Sequence, residues 1–159
     1  MPRIELTTAV RKGSEECVSF LTQPENYARF LPADGFQGVQ GSGESALVFQ
    51  WRILGRWWPT RLDLVQDSGN ATIVMRSTAP PFPFTWTWTL KSMKTDRRGA
   101  RTEVHLAVDY EPPGGVLGRL AAGVLLERGL IRLYDPALRS LPEVLGIKLR
   151  SGLREGADS

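Results

Sequence analysis

From residue 36 to residue 110 apolar and polar side chains alternate almost without interruption, and the breaks carry turn residues. Leu47, Phe49, Trp51 and Ile53 share one parity ahead of Gly55 and Arg56, and Trp58, Leu62 and Leu64 follow ahead of Asp67 to Asn70. Ile73 and Met75 come next. Phe84, Trp86, Trp88 and Leu90 then interleave with Thr85, Thr87, Thr89 and Lys91, and after a turn at Asp96 to Gly99 Val104, Leu106, Val108 and Tyr110 interleave with Glu103, His105, Ala107 and Asp109. Side chains in a strand point to opposite faces in turn, so each segment predicts a strand with one buried and one solvated face. Ile4 to Val10 shows the same alternation. Short connections make consecutive strands antiparallel neighbours, about seven in all. Pro59 cannot donate to a sheet ladder, which predicts an edge position, a bulge or a strand start there.

Two short helices are expected between the first strand and the rest. Ser14 is suited to an N-cap, Glu15 and Glu16 to the positive end of a helix dipole, and Cys17, Val18, Phe20 and Leu21 to its apolar face. Pro24 suits the first turn of a second helix through Tyr27 and Phe30, ended by Pro32 and Gly35. Beyond Pro112 to Gly115 the period becomes helical, with Leu117, Leu120, Ala121, Val124, Leu125, Ile131, Tyr134, Leu138, Leu141 and Leu145 at three- and four-residue steps. Pro136 predicts a kink between Arg132 and Pro136, or a fresh helix capped by Asp135. Residues 1–150 read as one domain, and the polar stretch 151–159 reads as a frayed tail. The fold class is therefore α+β, a curved antiparallel sheet against a long C-terminal helix.

Composition narrows the function classes. A chain of 159 residues, 42% hydrophobic and 23% charged, has enough apolar material to build one core without help from metals or disulfides. Cys17 is the only cysteine and His105 the only histidine, so neither a disulfide nor a metal cluster is expected, and no cofactor is implied. Basic residues are scattered over a turn (Lys94, Arg97, Arg98, Arg101) and the C-terminal third, giving a net charge of only +3. Nucleic-acid binding normally shows a denser patch, so it is not expected. Arg128 and Arg132, one helical turn apart, leave peripheral membrane contact open but are accounted for as solubilising charges. The absence of a long apolar run and the polar start at Met1 to Glu5 predict a cytoplasmic protein.

The order of elements, together with LTQPENYARFLP from Leu21 to Pro32 and VDYEPPGGVLGRLAA from Val108 to Ala122, resembles the helix-grip superfamily of START-like, Bet v 1-like and polyketide cyclase/dehydrase proteins (SRPBCC). The resemblance covers about residues 4 to 145 and is nearest the bacterial polyketide cyclase and coenzyme Q-binding branch. It implies a sheet gripping the C-terminal helix around a hydrophobic cavity, and a lipid, quinone or polyketide-like ligand. That superfamily has no universal catalytic motif, so no catalytic residue is carried over.

On the parity facing the grip helix, Phe49, Trp51, Leu62, Ile73, Met75, Trp86, Trp88 and Tyr110, with Leu117 and Val124 from the helix, are the candidate cavity residues. Simple core packing explains the same rings. Tyr110, Thr60 and Ser77 are the polar groups on the inner parity that an enzyme would use, and none has an evident activating partner. His105 shares parity with Glu103 and Asp109 and is expected to face solvent; Cys17 is expected to be an inert core thiol. The glycine-dense stretch Gly35, Gly38, Gly41 and Gly43 precedes a strand rather than a helix, which favours a bulged hairpin over a phosphate cradle. Two main functions follow: binding or transport of a hydrophobic small molecule, which is favoured, or a cyclase/dehydratase in the same cavity. A regulatory or protein-partner module is a third, and the oligomeric state is left open.

Overall fold

The expected alternation becomes strand pairing in the computed structural model, which describes residues 3–42, 46–53, 55–67, 72–77, 83–96, 99–110 and 127–145. Strand β1 (Arg3–Val10) leads into helix α1 (Ser14–Leu21) and a 3-10 helix (Pro24–Arg29). Six more strands follow: β2 (Phe36–Ser42), β3 (Ala46–Ile53), β4 (Arg56–Asp67), β5 (Thr72–Ser77), β6 (Phe84–Asp96) and β7 (Gly99–Tyr110). Helix α2 occupies 127–145. The seven strands form one antiparallel sheet in the order β1-β7-β6-β5-β4-β3-β2, curled as a half-barrel with α2 against its concave face. Every step but one joins sequence neighbours, as short turns require; the exception brings β1 back to pair along β7, Ile4 opposite Val108 and Val10 opposite Thr102.

The concave parity is the one the alternation singled out. Ile73 and Met75 on β5, Trp86, Trp88 and Leu90 on β6, and Val104, Leu106, Val108 and Tyr110 on β7 are all buried. From α2 the stripe Leu130, Leu133, Tyr134, Ala137, Leu138, Leu141 and Leu145 packs onto them. Burial of one face of a sheet against one stripe of a helix is the main source of stability here. Among the described residues the buried polar side chains are Asn26, Ser77 and Thr102, and no aspartate, glutamate, lysine, arginine or histidine is buried.

Several local expectations are corrected. Ser14 is the first helical residue rather than the cap: Gly13 takes the cap position and its carbonyl accepts from Cys17 N at 3.2 Å, while the Ser14 hydroxyl lies 3.2 Å from that of Ser92 on β6. A cross-sheet partner has drawn the hydroxyl away from the helix end. No new helix starts at Asp135; α2 runs through Pro136, and Asp135 pairs instead with Arg139 at 3.0 Å, one turn on. Pro136 is exposed, so the Arg132 carbonyl it deprives of a donor, also on an exposed residue, is open to water. Leu117 and Val124 lie outside the described residues.

Pro59 sits within β4 opposite Gln50 of β3, at a stretch where β4 runs beyond the pairing with β5, which begins at Asp63. That stretch is in effect an edge, so its missing donor leaves no gap in a ladder. The glycine stretch forms a bulged strand. Gly38, with φ +62, stands where the β2–β3 register shifts between Gln37 and Gln40. Gly35 has no room for a Cβ beneath the Leu133 side chain of α2, and a Cβ on Gly41 would stand 3.3 Å from that of Pro24.

Candidate functional site

Register places the predicted apolar candidates on adjacent concave rows. Met75 pairs with Trp86 and Ile73 with Trp88 across β5–β6, Trp86 and Trp88 pair with Val108 and Leu106 across β6–β7, and Leu47 pairs with Leu62 across β3–β4. Phe49, Trp51, Leu62, Ile73, Met75, Trp86, Trp88 and Tyr110 all belong to one buried cluster. The rings pack on one another: Trp51 and Phe84 have centroids 4.4 Å apart, Phe49 stacks on Trp86 at 5.6 Å, and Trp86 meets Trp88 edge to face at 6.5 Å. Trp51, Trp86 and Trp88 are at most 2% exposed, so side chains occupy the space around them.

The cluster also contains rings that the alternation did not identify as site residues. Tyr27 and Phe30 reach it from the 3-10 helix and its end, Phe36 from β2 and Tyr134 from α2. Tyr27 lies 6.0 Å from Trp86, and Tyr134 lies 5.7 Å from Trp86 and 6.2 Å from Trp51. Tyr134 was visible as part of the helical apolar stripe; for Tyr27 and Phe30 the flanking Pro24 and Pro32 indicated only a short helix, with nothing to aim it inward. Asn26 supplies the aim. Its buried side-chain amide donates to the Phe20 carbonyl at 3.0 Å, tying the 3-10 helix to α1.

Three polar contacts are embedded among the rings. The Trp86 indole N–H donates to the Tyr134 hydroxyl at 2.7 Å, and the Tyr27 hydroxyl donates to the Leu21 carbonyl at 2.8 Å and lies 3.3 Å from Met75 Sδ. Burial pushes both tyrosines far above the ordinary tyrosine range, with a small opposing pull from the neighbouring indoles, so both are neutral. The Trp88 N–H is close enough to the Tyr27 hydroxyl to oppose that rise; it is buried, and among the described residues it makes no hydrogen bond of ordinary geometry.

The three inner-parity polar groups come together at one end of the sheet. Ser77 is the last residue of β5, Phe84 the first of β6 and Tyr110 the last of β7, and the register aligns Ser77 with Phe84 and Phe84 with Tyr110. Thr60 of β4 joins this row through a contact of 3.2 Å between its hydroxyl and that of Ser77. Ser77 is buried and Thr60 half-buried. Burial raises the Tyr110 pKa, and the negative charge of Glu127 at the start of the described part of α2 raises it further. The described part of α2 thus starts near this end of the sheet.

The remaining candidates lie elsewhere. His105 is on the convex face, 3.9 Å from Glu5, and Asp109 is held there by Arg3 through contacts of 2.7 and 3.1 Å. Cys17 is buried, and desolvation raises its pKa, which disfavours the reactive thiolate. Arg128 and Arg132 are exposed on α2. Among the described residues no group of His, Cys, Asp and Glu is arranged to hold a metal ion, and no helix is long and apolar enough to cross a membrane. An open recess of about 710 Å³ lies over β2, β3 and β4, bounded by Gln37, Gln50, Pro59, Thr60 and Arg61 among others.

No family model and no curated protein matches the sequence. Solved structures do match it in fold. An aromatase/cyclase, ZhuI, from a Streptomyces species is 21% identical, with a TM-score of 0.59 and 94% of each chain covered. A major latex-like protein from Panax ginseng is 14% identical, with a TM-score of 0.52, covering 89% of this chain and 98% of its own. A START superfamily protein from Mycobacterium smegmatis is 15% identical, with a TM-score of 0.51, covering 87% of this chain and 98% of its own. The curled sheet, the paired short helices and the helix laid along the concave face therefore give this chain the helix-grip fold common to START-like, Bet v 1-like and polyketide aromatase/cyclase proteins.

Proposed function

We propose that the chain binds a hydrophobic small molecule, of the lipid, quinone or polyketide-like class, between the concave face of the sheet and α2. The observation that carries this reading is the character of the buried surface: aromatic and aliphatic throughout the described residues, with only Asn26, Ser77 and Thr102 as polar members. Asn26 and Thr102 are engaged with backbone carbonyls, Phe20 O and Lys12 O, which leaves, among the described residues, the hydroxyls at one end of the sheet and the Trp88 N–H as polar groups a ligand would meet. Such a surface holds apolar matter and offers no acid–base pair. Burying about 400 Å² of ligand contributes roughly 10 kcal/mol, against association costs of about 4 to 15 kcal/mol, so micromolar affinity needs no special polar site. The fold likeness to aromatase/cyclase and START proteins is consistent with such a ligand.

The cyclase/dehydratase alternative draws support from one place only, the Tyr110 hydroxyl near Glu127, where a neutral phenol could deliver a proton. Mass spectrometry of organic extracts from natively purified protein, followed by displacement of the neutral fluorophore phenylnaphthylamine, tests the choice. Binding predicts a copurified lipophile or micromolar probe affinity, unaffected by His105→Ala. Multiple turnover of a polyketide-like substrate, lost in a folded Tyr110→Phe variant, would replace it with the enzyme.

A further inference from the structure

The row of inner hydroxyls restricts the ligand class further, and this step rests on the binding reading above. Thr60 Oγ1 and Ser77 Oγ lie 3.2 Å apart, one half-buried and the other 2% exposed. Each hydroxyl owns a single proton. One proton is used between the two oxygens, so among the described residues the pair keeps one donor and spare lone pairs uncommitted. It can therefore satisfy one carbonyl oxygen or one hydroxyl of an incoming molecule.

The surrounding charges decide which kind of polar group is tolerated. No lysine, arginine or histidine is buried among the described residues, so the described part of the concave face supplies no cation to neutralise a ligand anion. At the same end Glu127 stands near enough to Tyr110 to act on it electrostatically, and its charge is negative. Arg61, next to Thr60 in sequence, is on the other parity of β4, where it bonds Asp63 at 3.2 Å and Ser42 at 3.3 Å. Arg3, near the Tyr110 end, is taken by Asp109. A carboxylate brought to this row would lose its hydration, gain one neutral hydrogen bond and face a like charge. A ketone or alcohol loses much less water and gains the same bond.

We propose that the Thr60–Ser77 hydroxyl pair is the polar anchor of the binding site and selects neutral lipophiles bearing a carbonyl or hydroxyl over both plain hydrocarbons and carboxylates. Free fatty acids in their ionised form fall outside the selected class.

A congeneric series of one shape tests this on the full chain: fluorene, fluorenone, fluorenol and fluorene carboxylate, each displacing phenylnaphthylamine above the carboxylate pKa. Fluorenone and fluorenol are expected to bind about threefold to tenfold more tightly than fluorene, the gain of one neutral hydrogen bond, and the carboxylate most weakly. The double variant Thr60→Val, Ser77→Ala should bring ketone and alcohol down to the affinity of fluorene while leaving fluorene unchanged. Thr60→Val alone, nearly isosteric, should reduce the preference in the same direction if the double variant does not fold. Equal or tighter binding of the carboxylate, or a preference that survives the folded variants, overturns the anchor while the binding reading stands. Failure of every compound and of the probe to bind overturns the binding reading itself.

Discussion

The indole N–H of Trp86 on β6 and the hydroxyl of Tyr134 on α2 are 2.7 Å apart in the middle of the aromatic cluster, a hydrogen bond between the sheet and the helix it grips. Apolar packing alone lets a helix slide along a curved sheet at little cost, whereas a buried donor and acceptor are satisfied in one register only. Tyr134→Phe should destabilise the fold by about 1 to 3 kcal/mol, because the Trp86 N–H is left buried and unpaired. Adding Trp86→Phe should cost less than the two single changes summed. Denaturant unfolding of the four proteins in the cycle measures the coupling, and strict additivity would mean the bond contributes nothing.

Trp88 offers the contrast. It is equally buried, against Tyr27, Phe30 and Trp86, but among the described residues its N–H makes no hydrogen bond of ordinary geometry. Trp88→Phe removes an unsatisfied donor along with some packing, so it should cost about 1 kcal/mol less than Trp86→Phe. Trp88→Ala, which leaves a cavity, should cost about 3 to 5 kcal/mol. Urea midpoints with unchanged m-values report both, and a greater loss for Trp88→Phe than for Trp86→Phe would show that the N–H has a partner after all.

Alkaline pH should unfold the protein. Tyr27 and Tyr134 have folded pKa values raised by burial, and an unfolded tyrosine titrates near about 10. A raised pKa means the folded state holds its proton while the unfolded state releases it. The stability from both phenols is therefore complete below about pH 10 and declines as pH rises toward the folded values, by about 1.4 kcal/mol per pH unit for each tyrosine. Cys17, shifted in the same direction, starts its own decline somewhat earlier, from about pH 8.5. Chemical denaturation at stepped pH should show a flat region at neutrality and a steepening fall above about 10; phenolate absorbance from all three tyrosines before unfolding would contradict it.

Gly35→Ala should destabilise by about 1 to 3 kcal/mol, since the added methyl runs into the buried Leu133 side chain, which must leave its packed rotamer or push α2 or the turn aside. The turn is not free to yield: Gly35 O accepts from Arg52 N at 2.8 Å and Phe36 N donates to Pro32 O at 2.9 Å. Adding Leu133→Ala should recover part of the loss by opening the space, and thermal melts of the single and double variants decide it.

How much of this was legible in the chain can be judged from single elements. In β7 the alternation of Val104, Leu106, Val108 and Tyr110 with Glu103, His105 and Asp109 identified the strand, its inward face and the convex placement of His105, because a period of two has only one physical meaning in an extended backbone. Trp86 and Trp88 were read as concave for the same reason, and they are. Ser14 was misread because local capping chemistry names the residue type but cannot know that Ser92, on a strand distant in sequence, competes for its hydroxyl. Asp135 was misread as a possible cap because Pro136 looks like a helix start, while packing of Leu130, Tyr134 and Leu138 along one stripe kept α2 continuous. Gly35 was read only as a turn residue, and its closest constraint, Leu133, is contributed by another element.

Hydrophobic periodicity by itself determined the strands, their antiparallel succession, the face each turns to the helix and the absence of aspartate, glutamate, lysine, arginine and histidine from the described part of that face, since all of these follow from backbone geometry and the cost of burying charge. Tertiary structure alone decided which side chains meet. It set the registers that place Thr60 against Ser77 and Ser77 in line with Tyr110, brought Tyr27 and Tyr134 among the tryptophans, and packed the rings tightly enough to leave Trp51, Trp86 and Trp88 without exposed surface. Those outcomes depend on contacts between residues far apart in the chain, and no local pattern encodes the volume they must share.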